Sequence, residues 1–392
     1  MKFVDCQCFA GGLAYSFVSE GFTLVAKREH PGGFGAPLME ANRNILGNSW
    51  DMQDTVPDEW RRPGPVEVVA GNPPCSGFSL LNSSGKRGID SPINACMFHF
   101  MHFAAKCKPT TIVMESVQQA YTGGRPLMRK LRQDVEEISG LKYEIIHTLH
   151  SVAALDGSQI RRRYFLVLSR IPFGIDEREV VKCRTGYSFI EDLADKLLDE
   201  DGTPDGHITS PWGHADRTAN LLKHFDWKQG EKIGAVLDRA FDELGFKGIE
   251  EKLGYAAGSV ISMVLDDTLG SAYATTRVKA NKLWPTFTGA SMGAVHPTQP
   301  RTLTYREAAR LMGFPDEWTV KPAIEDRKGR SWFGKGVTTF AGKWIAGLVR
   351  DAINGRPGPV LGDEIGERER YVNVSNLFVK PNKWMENADE RE

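Results

Sequence analysis

Short apolar runs alternate with amphipathic or glycine-bounded segments through the first part of the chain. The pattern predicts one helix beginning near Leu13, a second over about 125–138, and strands at 2–9, 22–26, 66–70, 111–114, 143–149 and 163–168. Strands that alternate with helical segments are typical of a parallel sheet with helices on both faces. The predicted fold class is therefore α/β, with a doubly wound, mostly parallel sheet.

The pattern changes after Pro172. The next hundred or so residues are polar, glycine-spaced and irregular, with helical stretches predicted near 217–226 and 231–245, and regular motifs resume near Trp284. This shift predicts a smaller domain inserted into a larger one. The expected division is 1–172 for the first part of the larger domain, 173–276 for the inserted domain, 277–355 for a return segment in which 334–353 completes the larger domain, and 356–392 for a charged tail that packs loosely or serves as an arm.

Composition narrows the class of protein. The 392 residues are 41% hydrophobic and 25% charged, as in ordinary soluble globular proteins, and are enough for two domains. The formal net charge is −1, so any contact with nucleic acid must come from local patches. The six cysteines show neither a CxxC pair nor zinc spacing. We expect a cytoplasmic protein with reduced thiols, no metal and no membrane association.

Cys75 is the first candidate catalytic residue. It follows an apolar run and the stiff turn Asn72-Pro73-Pro74, whose prolines fix φ and remove backbone donors. The thiol is therefore expected at the carboxyl end of a strand, where open α/β sheets bind their ligands. A Gly/Ser-rich stretch follows and predicts a flexible loop. The pattern favours a nucleophile beside a lid, and the alternative is a small buried apolar cysteine.

A nucleotide-binding βαβ unit is predicted at the amino terminus. Gly11-Gly12 follows the first strand, and Glu29 lies just beyond the second, where an acid can accept hydrogen bonds from ribose hydroxyls. Asp51 is placed to accept from an adenine amino group. The residues of the first turn that we expect at the cofactor are Phe9, Ala10, Gly11, Gly12 and Leu13.

Five motifs follow one another in a characteristic order. They are NPPCSGFS at 72–79, MESV at 114–117, QIRRR at 159–163, RTLTYREAARLMGFPDEW at 301–318 and GKGVTTFAGKWIAGLV at 334–349. This succession resembles the DNA cytosine-5 methyltransferases over roughly 3–172 and 277–353. The resemblance implies a Rossmann-like domain that uses S-adenosylmethionine, a target-recognition domain in the unmatched middle, and double-stranded DNA as the partner of a monomeric enzyme.

The resemblance also implies roles for individual residues. Cys75 would add to C6 of cytosine and make C5 nucleophilic, while Glu115 would hold or protonate N3. Arg161 and Arg163 would orient the base through O2 and stabilise the thiolate. The alternatives are a strand-end acid in a surface pair and arginines on a solvated or phosphate-binding face. Pro73, Lys335 and Val337 would contact the cofactor.

The target base must leave the duplex to react, so the loop over 76–91 is the expected lid. Four of its residues are predicted DNA contacts: Ser83, Ser84, Lys86 and Arg87. The alternative is an ordinary surface loop. The residues of the 301–318 motif that we expect to brace the smaller domain through buried ion pairs are Arg306, Glu307 and Arg310.

Departures from the family pattern concentrate around the cofactor. The usual FxGxGG is here Phe9-Ala10-Gly11-Gly12, and GNxV is here Gly334-Lys335-Gly336-Val337. In the family, the asparagine of GNxV lies beside the methionine part of S-adenosylmethionine, so Lys335 would bring a cation close to the sulfonium. At about 4 Å and an effective dielectric near 20, the two positive charges would repel each other by about 4 kcal/mol. A carboxylate on the transferred carbon would reverse the sign, as in carboxy-S-adenosylmethionine, and would yield 5-carboxymethylcytosine. Alternatively, Lys335 turns to a DNA phosphate or solvent and the enzyme methylates.

Two other functions fit the same motifs. Some members of this family act on tRNA, and an inactive DNA-binding relative would retain the fold. The middle domain of about 100 residues is sized for reading a duplex groove and favours DNA. An inactive relative would need to have lost one of the four catalytic candidates, and all four are present.

Overall fold

The computed structural model describes residues 1–7, 9–31, 33, 35–79, 88–175, 184–193, 225–254, 276–288, 294–299, 303–326 and 328–373. The helices within these residues are α1 Gly12–Ser19, α2 Ala36–Ala41, α3 Arg43–Leu46, α4 Ala95–Cys107, α5 Gln118–Ser139, α6 Ile233–Leu253, α7 Tyr305–Leu311, α8 Lys321–Glu325, α9 Gly329–Lys335 and α10 Thr339–Ile353. The strands are β1 Lys2–Cys6, β2 Thr23–Arg28, β3 Asp51–Gln53, β4 Val68–Gly71, β5 Thr111–Val117, β6 Glu144–Ser151, β7 Gln159–Ile160, β8 Arg162–Ser169, β9 Thr276–Arg277, β10 Trp284–Pro285, β11 Ala294–Val295, β12 Asp363–Gly366 and β13 Glu369–Asn373.

Most strands join one sheet in the order β12-β13-β6-β8-β5-β4-β1-β2-β3, nine strands within the described residues. β8 runs antiparallel to both β5 and β6, and β12 runs antiparallel to β13, while the other neighbours are parallel. The predicted α/β fold with a mostly parallel sheet is confirmed. Among the described residues, no helix is long and apolar enough to span a membrane.

Alternation of side chains along each strand gives the sheet two buried faces. Phe3 and Val113 point into one hydrophobic cluster with α1 and α10. Val4 and Ile112, their direct neighbours, point into a second cluster with α4 and α5. Because both faces are covered, the carboxyl edge of the sheet is the region that loops from several strands can share.

Helix α5 is longer than the sequence predicted. It begins at Gln118 rather than near residue 125 and continues through Pro126. Gly123, Gly124 and Pro126 disfavour a helix locally, but tertiary packing overrides this preference. A Cβ on Gly124 would lie 3.1 Å from the Phe78 ring, so the small residue allows close packing against the segment that carries Cys75.

The expectation that 356–392 packs loosely is wrong for its described part. β13 adds to β6 in parallel and β12 pairs with β13, which extends the main sheet. Glu369 is buried, and its carboxylate lies 2.7 Å from Arg129 Nε and 2.8 Å from His147 Nε2. The charges that indicated a loose tail are instead matched by partners on α5 and β6.

The predicted helix near 231–245 corresponds to α6, which continues to Leu253. The helix expected over 217–226 lies mostly outside the described residues, as does most of the predicted inserted domain. The proposed boundaries at 172 and 276 therefore stay predictions.

Candidate active site

Cys75 lies just beyond the carboxyl end of β4. The Asn72-Pro73-Pro74 turn directs the chain into a short 3₁₀ helix, Ser76–Phe78, of which Cys75 is the N-cap. The side chain is half-buried against the end of β5. Burial, and then the charge of Glu115, raise the pKa of the Cys75 thiol, while Arg163 opposes this rise.

The backbone at the end of β5 also favours the Cys75 thiolate. The Val117 amide lowers the pKa of the thiol, although less than burial raises it. The thiol is therefore protonated in the resting protein and lies among groups that can stabilise its anion.

Glu115 lies at the centre of the site and is 2% exposed. Asn72 Nδ2 donates to Glu115 Oε2 at 2.7 Å, and Arg163 Nε lies 3.2 Å from Oε1. Burial raises the pKa of Glu115 to about 7, against the lowering effect of Arg163 and Arg161. The carboxyl group can therefore exchange a proton near neutral pH.

Strand pairing explains why Arg163 reaches Glu115. β5 and β8 are antiparallel, with Val117 opposite Arg163 and Glu115 opposite Phe165. Residues two apart on adjacent strands lie on the same face and within reach of a long side chain. The structure thus brings together Cys75, Glu115 and Arg163, as the sequence predicted, although their roles toward a base stay predictions.

Arg161 is held in a different way. It is 1% exposed, and its guanidinium donates to three backbone carbonyls, those of Phe287 at 2.9 Å, Gly334 at 3.2 Å and Gly336 at 2.7 Å. Burial, followed by repulsion from Arg163, lowers its pKa to about 9. This geometry favours a bracing role for Arg161, so its predicted contact with cytosine O2 stays a prediction.

The glycine turn after β1 packs against the 334–337 segment. A Cβ on Gly12 would lie 1.9 Å from the Val337 carbonyl oxygen, so only glycine fits there, and Gly11 has φ +88°. Gly336 also packs against this turn. A Cβ on Gly336 would be 3.5 Å from Ala10 N and 3.6 Å from Phe9 Cβ.

The other predicted residues of the turn differ in accessibility. Ala10 and Leu13 are fully buried in the core shared with α10, which favours a packing role for both. Phe9 is 6% exposed and adopts φ +53°. Pro73 is also buried. Their contacts with a cofactor stay predictions.

Glu29 follows β2 and belongs to a buried charged cluster that the sequence analysis missed. Its Oε2 lies 3.1 Å from Lys27 Nζ, which is also 3.5 Å from Asp5 Oδ2, and its Oε1 accepts from the His30 amide at 3.1 Å. Burial raises the pKa of Glu29, against the effect of Lys27. Lys27 is fully buried, and the sequence analysis left it out because the predicted strand ended at Ala26, whereas β2 continues to Arg28.

Asp51 is the first residue of β3. It pairs with Ala26 of β2, three residues before Glu29. Its Oδ2 lies 3.0 Å from Arg28 Nη1, and its side chain is 58% exposed. The structure therefore does not bring Asp51 to the same level of the sheet as Glu29, and its contact with adenine stays a prediction.

Lys335 is the last residue of α9 and has an exposed side chain. Asn72 Nδ2, which also donates to Glu115, lies 3.3 Å from the Lys335 carbonyl oxygen. Partial burial, and then the charge of Lys328, lower the pKa of Lys335. The Asn72 side chain thus links the backbone of Lys335 to the Glu115 carboxylate.

The other predicted residues lie further from this cluster. Glu307 is fully buried 3.4 Å from His296 Nε2, and it also caps α7 together with Thr304. Arg310 pairs with Asp192 and Asp316 at 2.6 Å each, and its partners are more than half exposed. In a separate contact, the Arg306 guanidinium donates to the Trp318 carbonyl oxygen at 2.8 Å.

The predicted DNA contacts Ser83, Ser84, Lys86 and Arg87 lie outside the described residues. Among those that are described, no group of three or more His, Cys, Asp or Glu side chains is arranged to hold a metal ion. Asn72 is the functional candidate nearest to Cys75 that the sequence analysis left without a role. Its place at the strand end beside two prolines was the available signal.

Comparison with known proteins shows the family of the chain. The family model for C-5 cytosine-specific DNA methylases matches residues 1–347. The chain is 24% identical over 376 residues to the type II methyltransferase M.XorII of Xanthomonas oryzae, covering 90% of this chain and 85% of that protein. It is 26% identical over 409 residues to M.DdeI of Desulfomicrobium norvegicum, covering 97% and 92%.

A similar fold is found in the solved structure of the Entamoeba histolytica methyltransferase EhMeth. The TM-score is 0.55 at 12% sequence identity, and the match covers 90% of this chain and 98% of that one. At this level of identity, the likeness concerns the fold alone.

Proposed function

This chain belongs to the C-5 cytosine-specific DNA methylase family, and from that membership we propose that Cys75 forms a covalent bond to C6 of a cytosine extruded from duplex DNA. The observation that carries the proposal is the half-buried Cys75 thiol beside Glu115, whose pKa is raised to about 7. The nucleophile and a proton donor are thus adjacent at the carboxyl edge of the sheet.

The raised pKa values of Cys75 and Glu115 indicate how protons move during the reaction. Ionised Glu115 opposes the thiolate, whereas neutral Glu115 does not, and Arg163 favours the thiolate in both cases. The Cys75 thiol passes its proton to ionised Glu115, and as Sγ bonds to C6, Glu115 gives a proton to N3 and the C5–C6 π pair shifts toward C5. C5 would then bond to the transferred carbon as the carbon–sulfur bond of the sulfonium breaks, with its electron pair staying on the departing thioether. Loss of the C5 proton to water expels Sγ from C6 as a thiolate and restores the aromatic ring, and N3 returns its proton to Glu115.

The family uses S-adenosylmethionine, which supplies an electrophilic carbon on a sulfonium. The residues present fit such a molecule. The Glu29 carboxylate accepts one bond from Lys27 and one from the His30 amide, so lone pairs are left for ribose hydroxyls. The turn after β1 lies between the loops that carry Glu29 and Cys75, because β1 lies between β2 and β4.

Trapping the covalent bond tests the proposal directly. Duplex DNA that carries 5-fluorocytosine cannot lose its C5 substituent as a proton, so the enzyme should stay attached after the group is transferred. We expect a denaturation-resistant complex for the wild type and none for Cys75→Ser, with the modified peptide containing Cys75. A complex that forms equally well with Cys75→Ser would contradict the assignment, and a preference for tRNA would favour an RNA substrate.

Lys335 supports a finer proposal, that the transferred group carries a carboxylate. Partial burial, and to a smaller extent the charge of Lys328, lower the pKa of Lys335, so two cations interact near the segment that packs against the β1 turn. An anion between them would relieve that repulsion, and carboxy-S-adenosylmethionine provides one. A DNA phosphate would do the same, which leaves ordinary methylation as the alternative.

Nucleoside analysis separates the two outcomes. DNA is incubated with the enzyme and each cofactor in turn, digested and examined by mass spectrometry, with Lys335→Asn as the variant and Lys321→Asn, an exposed lysine of α8, as the control. We expect 5-carboxymethylcytosine from the wild type and at least about tenfold less from Lys335→Asn. If only 5-methylcytosine appears and Lys335→Asn changes nothing, carboxymethyl transfer is wrong while cytosine C5 transfer stands.

A further inference from the structure

Gln7 carries a carboxamide that is buried at the end of β1. The residue is 2% exposed, and within the described part of the chain neither Oε1 nor Nε2 has a hydrogen-bond partner. Buried polar groups are almost always paired, since an unpaired one loses its hydration without replacement. Both a donor and an acceptor of Gln7 are therefore available to a molecule that binds here.

The backbone at Gln7 is held in an unusual conformation. Gln7 and Phe9 have φ +54° and +53°, in the left-handed region that residues other than glycine seldom adopt. The Gln7 amide donates to the Arg28 carbonyl oxygen at 3.0 Å, which fixes the turn to the end of β2. Such conformations persist where surrounding structure imposes them and are concentrated at ligand sites.

The strand order locates Gln7 relative to the proposed substrates. β4 leads to Cys75, β2 leads to Glu29, and β1 between them leads to Gln7. A cofactor that runs from a ribose at Glu29 to a reacting carbon near Cys75 passes the β1 turn with the segment around its sulfur. That segment bears the amino-acid carboxylate and ammonium, which complement the donor and acceptor of a carboxamide.

We propose that the Gln7 carboxamide donates a hydrogen bond to a carboxylate on the sulfur-bearing half of the cofactor. The inference rests on the proposed function, because it assumes a cofactor of this class. Two carboxylates qualify, that of the amino-acid end and that of a carboxylated transferred group. In this proposal the ligand supplies the hydrogen-bond partner that the described residues do not give to the Gln7 amide.

Direct binding, measured without DNA, tests the inference independently of catalysis. Titration calorimetry compares the wild type with Gln7→Met, which keeps the size and removes the amide, and with the exposed Gln133→Met on α5 as the control. We expect Gln7→Met to weaken the binding of carboxy-S-adenosylmethionine, which carries both carboxylates, by about 5- to 20-fold. A decarboxylated analogue with an aminopropyl end should bind both proteins within about twofold.

A second set of ligands identifies which carboxylate is bound. If the amino-acid carboxylate is the partner, Gln7→Met weakens S-adenosylhomocysteine and carboxy-S-adenosylmethionine equally. If the carboxylate of the transferred group is the partner, only carboxy-S-adenosylmethionine is weakened. Equal weakening of the decarboxylated analogue, or unchanged affinity for every ligand, would overturn the inference.

The melting temperature distinguishes a ligand-binding role for Gln7 from a structural one, because the two roles predict opposite changes in the Tm of the ligand-free variant. Because the methionine removes an unpaired buried amide, the ligand-free Gln7→Met protein should have the same or a higher Tm than the wild type. Carboxy-S-adenosylmethionine should then raise its Tm less than it raises that of the wild type. A lower Tm without ligand and an undiminished shift with it would mean that Gln7 serves the fold instead.

Discussion

Two buried glutamates of the main sheet, Glu115 and Glu369, have similar surroundings and opposite behaviour. Glu115 on β5 is 2% exposed, with Arg163 Nε at 3.2 Å, and Glu369 on β13 is 3% exposed, with Arg129 Nε at 2.7 Å. Burial raises the pKa of Glu115 to about 7. Burial also tends to raise the pKa of Glu369, but hydrogen bonds from Arg129 and His147 outweigh this effect, so the pKa of Glu369 is lowered.

The difference lies in how completely each carboxylate is bound. Glu369 is bound by Arg129 and by His147, whose other ring nitrogen lies 2.6 Å from the Tyr164 hydroxyl. Glu115 Oε1 has no hydrogen bond from the described residues. A fully bound buried carboxylate stabilises the fold, whereas an incompletely bound one remains able to take up a proton and act on a substrate.

The largest expected effect comes from neutralising Glu115. Glu115→Gln keeps the shape and the bond from Asn72 but has no proton to give to N3, so kcat should fall by roughly 10²- to 10⁴-fold. The free energy of unfolding at pH 7 should change by less than about 1 kcal/mol, because the variant also removes a poorly solvated charge. Single-turnover kinetics and urea unfolding measure both. An unaltered kcat would contradict the comparison.

The matching change at Glu369 should act on stability instead. Glu369→Gln replaces a carboxylate bound by Arg129 and His147, and we expect a loss of about 2 to 4 kcal/mol in the free energy of unfolding. Activity per folded molecule should stay within about twofold. Glu367→Gln is the control, because its side chain is 89% exposed and should have little effect. Equal destabilisation by Glu369→Gln and Glu367→Gln would contradict the stabilising role of the bonds that Glu369 accepts.

The pH dependence of activity should also separate the two residues. If protonated Glu115 is required, kcat/KM falls as pH rises through about 7. Glu115→Gln should lose this limb, and Glu369→Gln should keep it. The pH–rate profiles of the three proteins measure this, and a limb that persists in Glu115→Gln would assign the proton to another group.

The last expected effect is a difference in the pH dependence of stability. Glu115 has a raised folded pKa, so the wild type should lose stability relative to Glu115→Gln as pH rises from about 4.5 to 7. Glu369 has a lowered folded pKa, so its contribution is present above its unfolded pKa and is lost as pH falls through the folded value. Urea unfolding at several pH values should give opposite slopes, and equal slopes would contradict the pKa assignments.

Sequence reasoning could predict that Cys75 and Glu115 lie together because strand ends are local features. Cys75 and Glu115 each follow a short apolar run, and parallel neighbours bring such ends to one edge. The partners of Arg161 and Glu369 could not be found in this way. They depend on contacts more than 100 residues apart in the chain, and the charged composition around Glu369 indicated a loose tail until its partners on α5 and β6 were placed.

The most direct test of the account follows the cytosine C5 hydrogen. Addition of Cys75 to C6, aided by a proton from Glu115, makes C5 basic, so duplex DNA tritiated at C5 should release tritium to water whichever group is transferred. We predict release by the wild type and by folded Glu369→Gln, release at least about 100-fold slower by Glu115→Gln, and none by Cys75→Ser. Tritium release by Cys75→Ser at the wild-type rate would contradict the account.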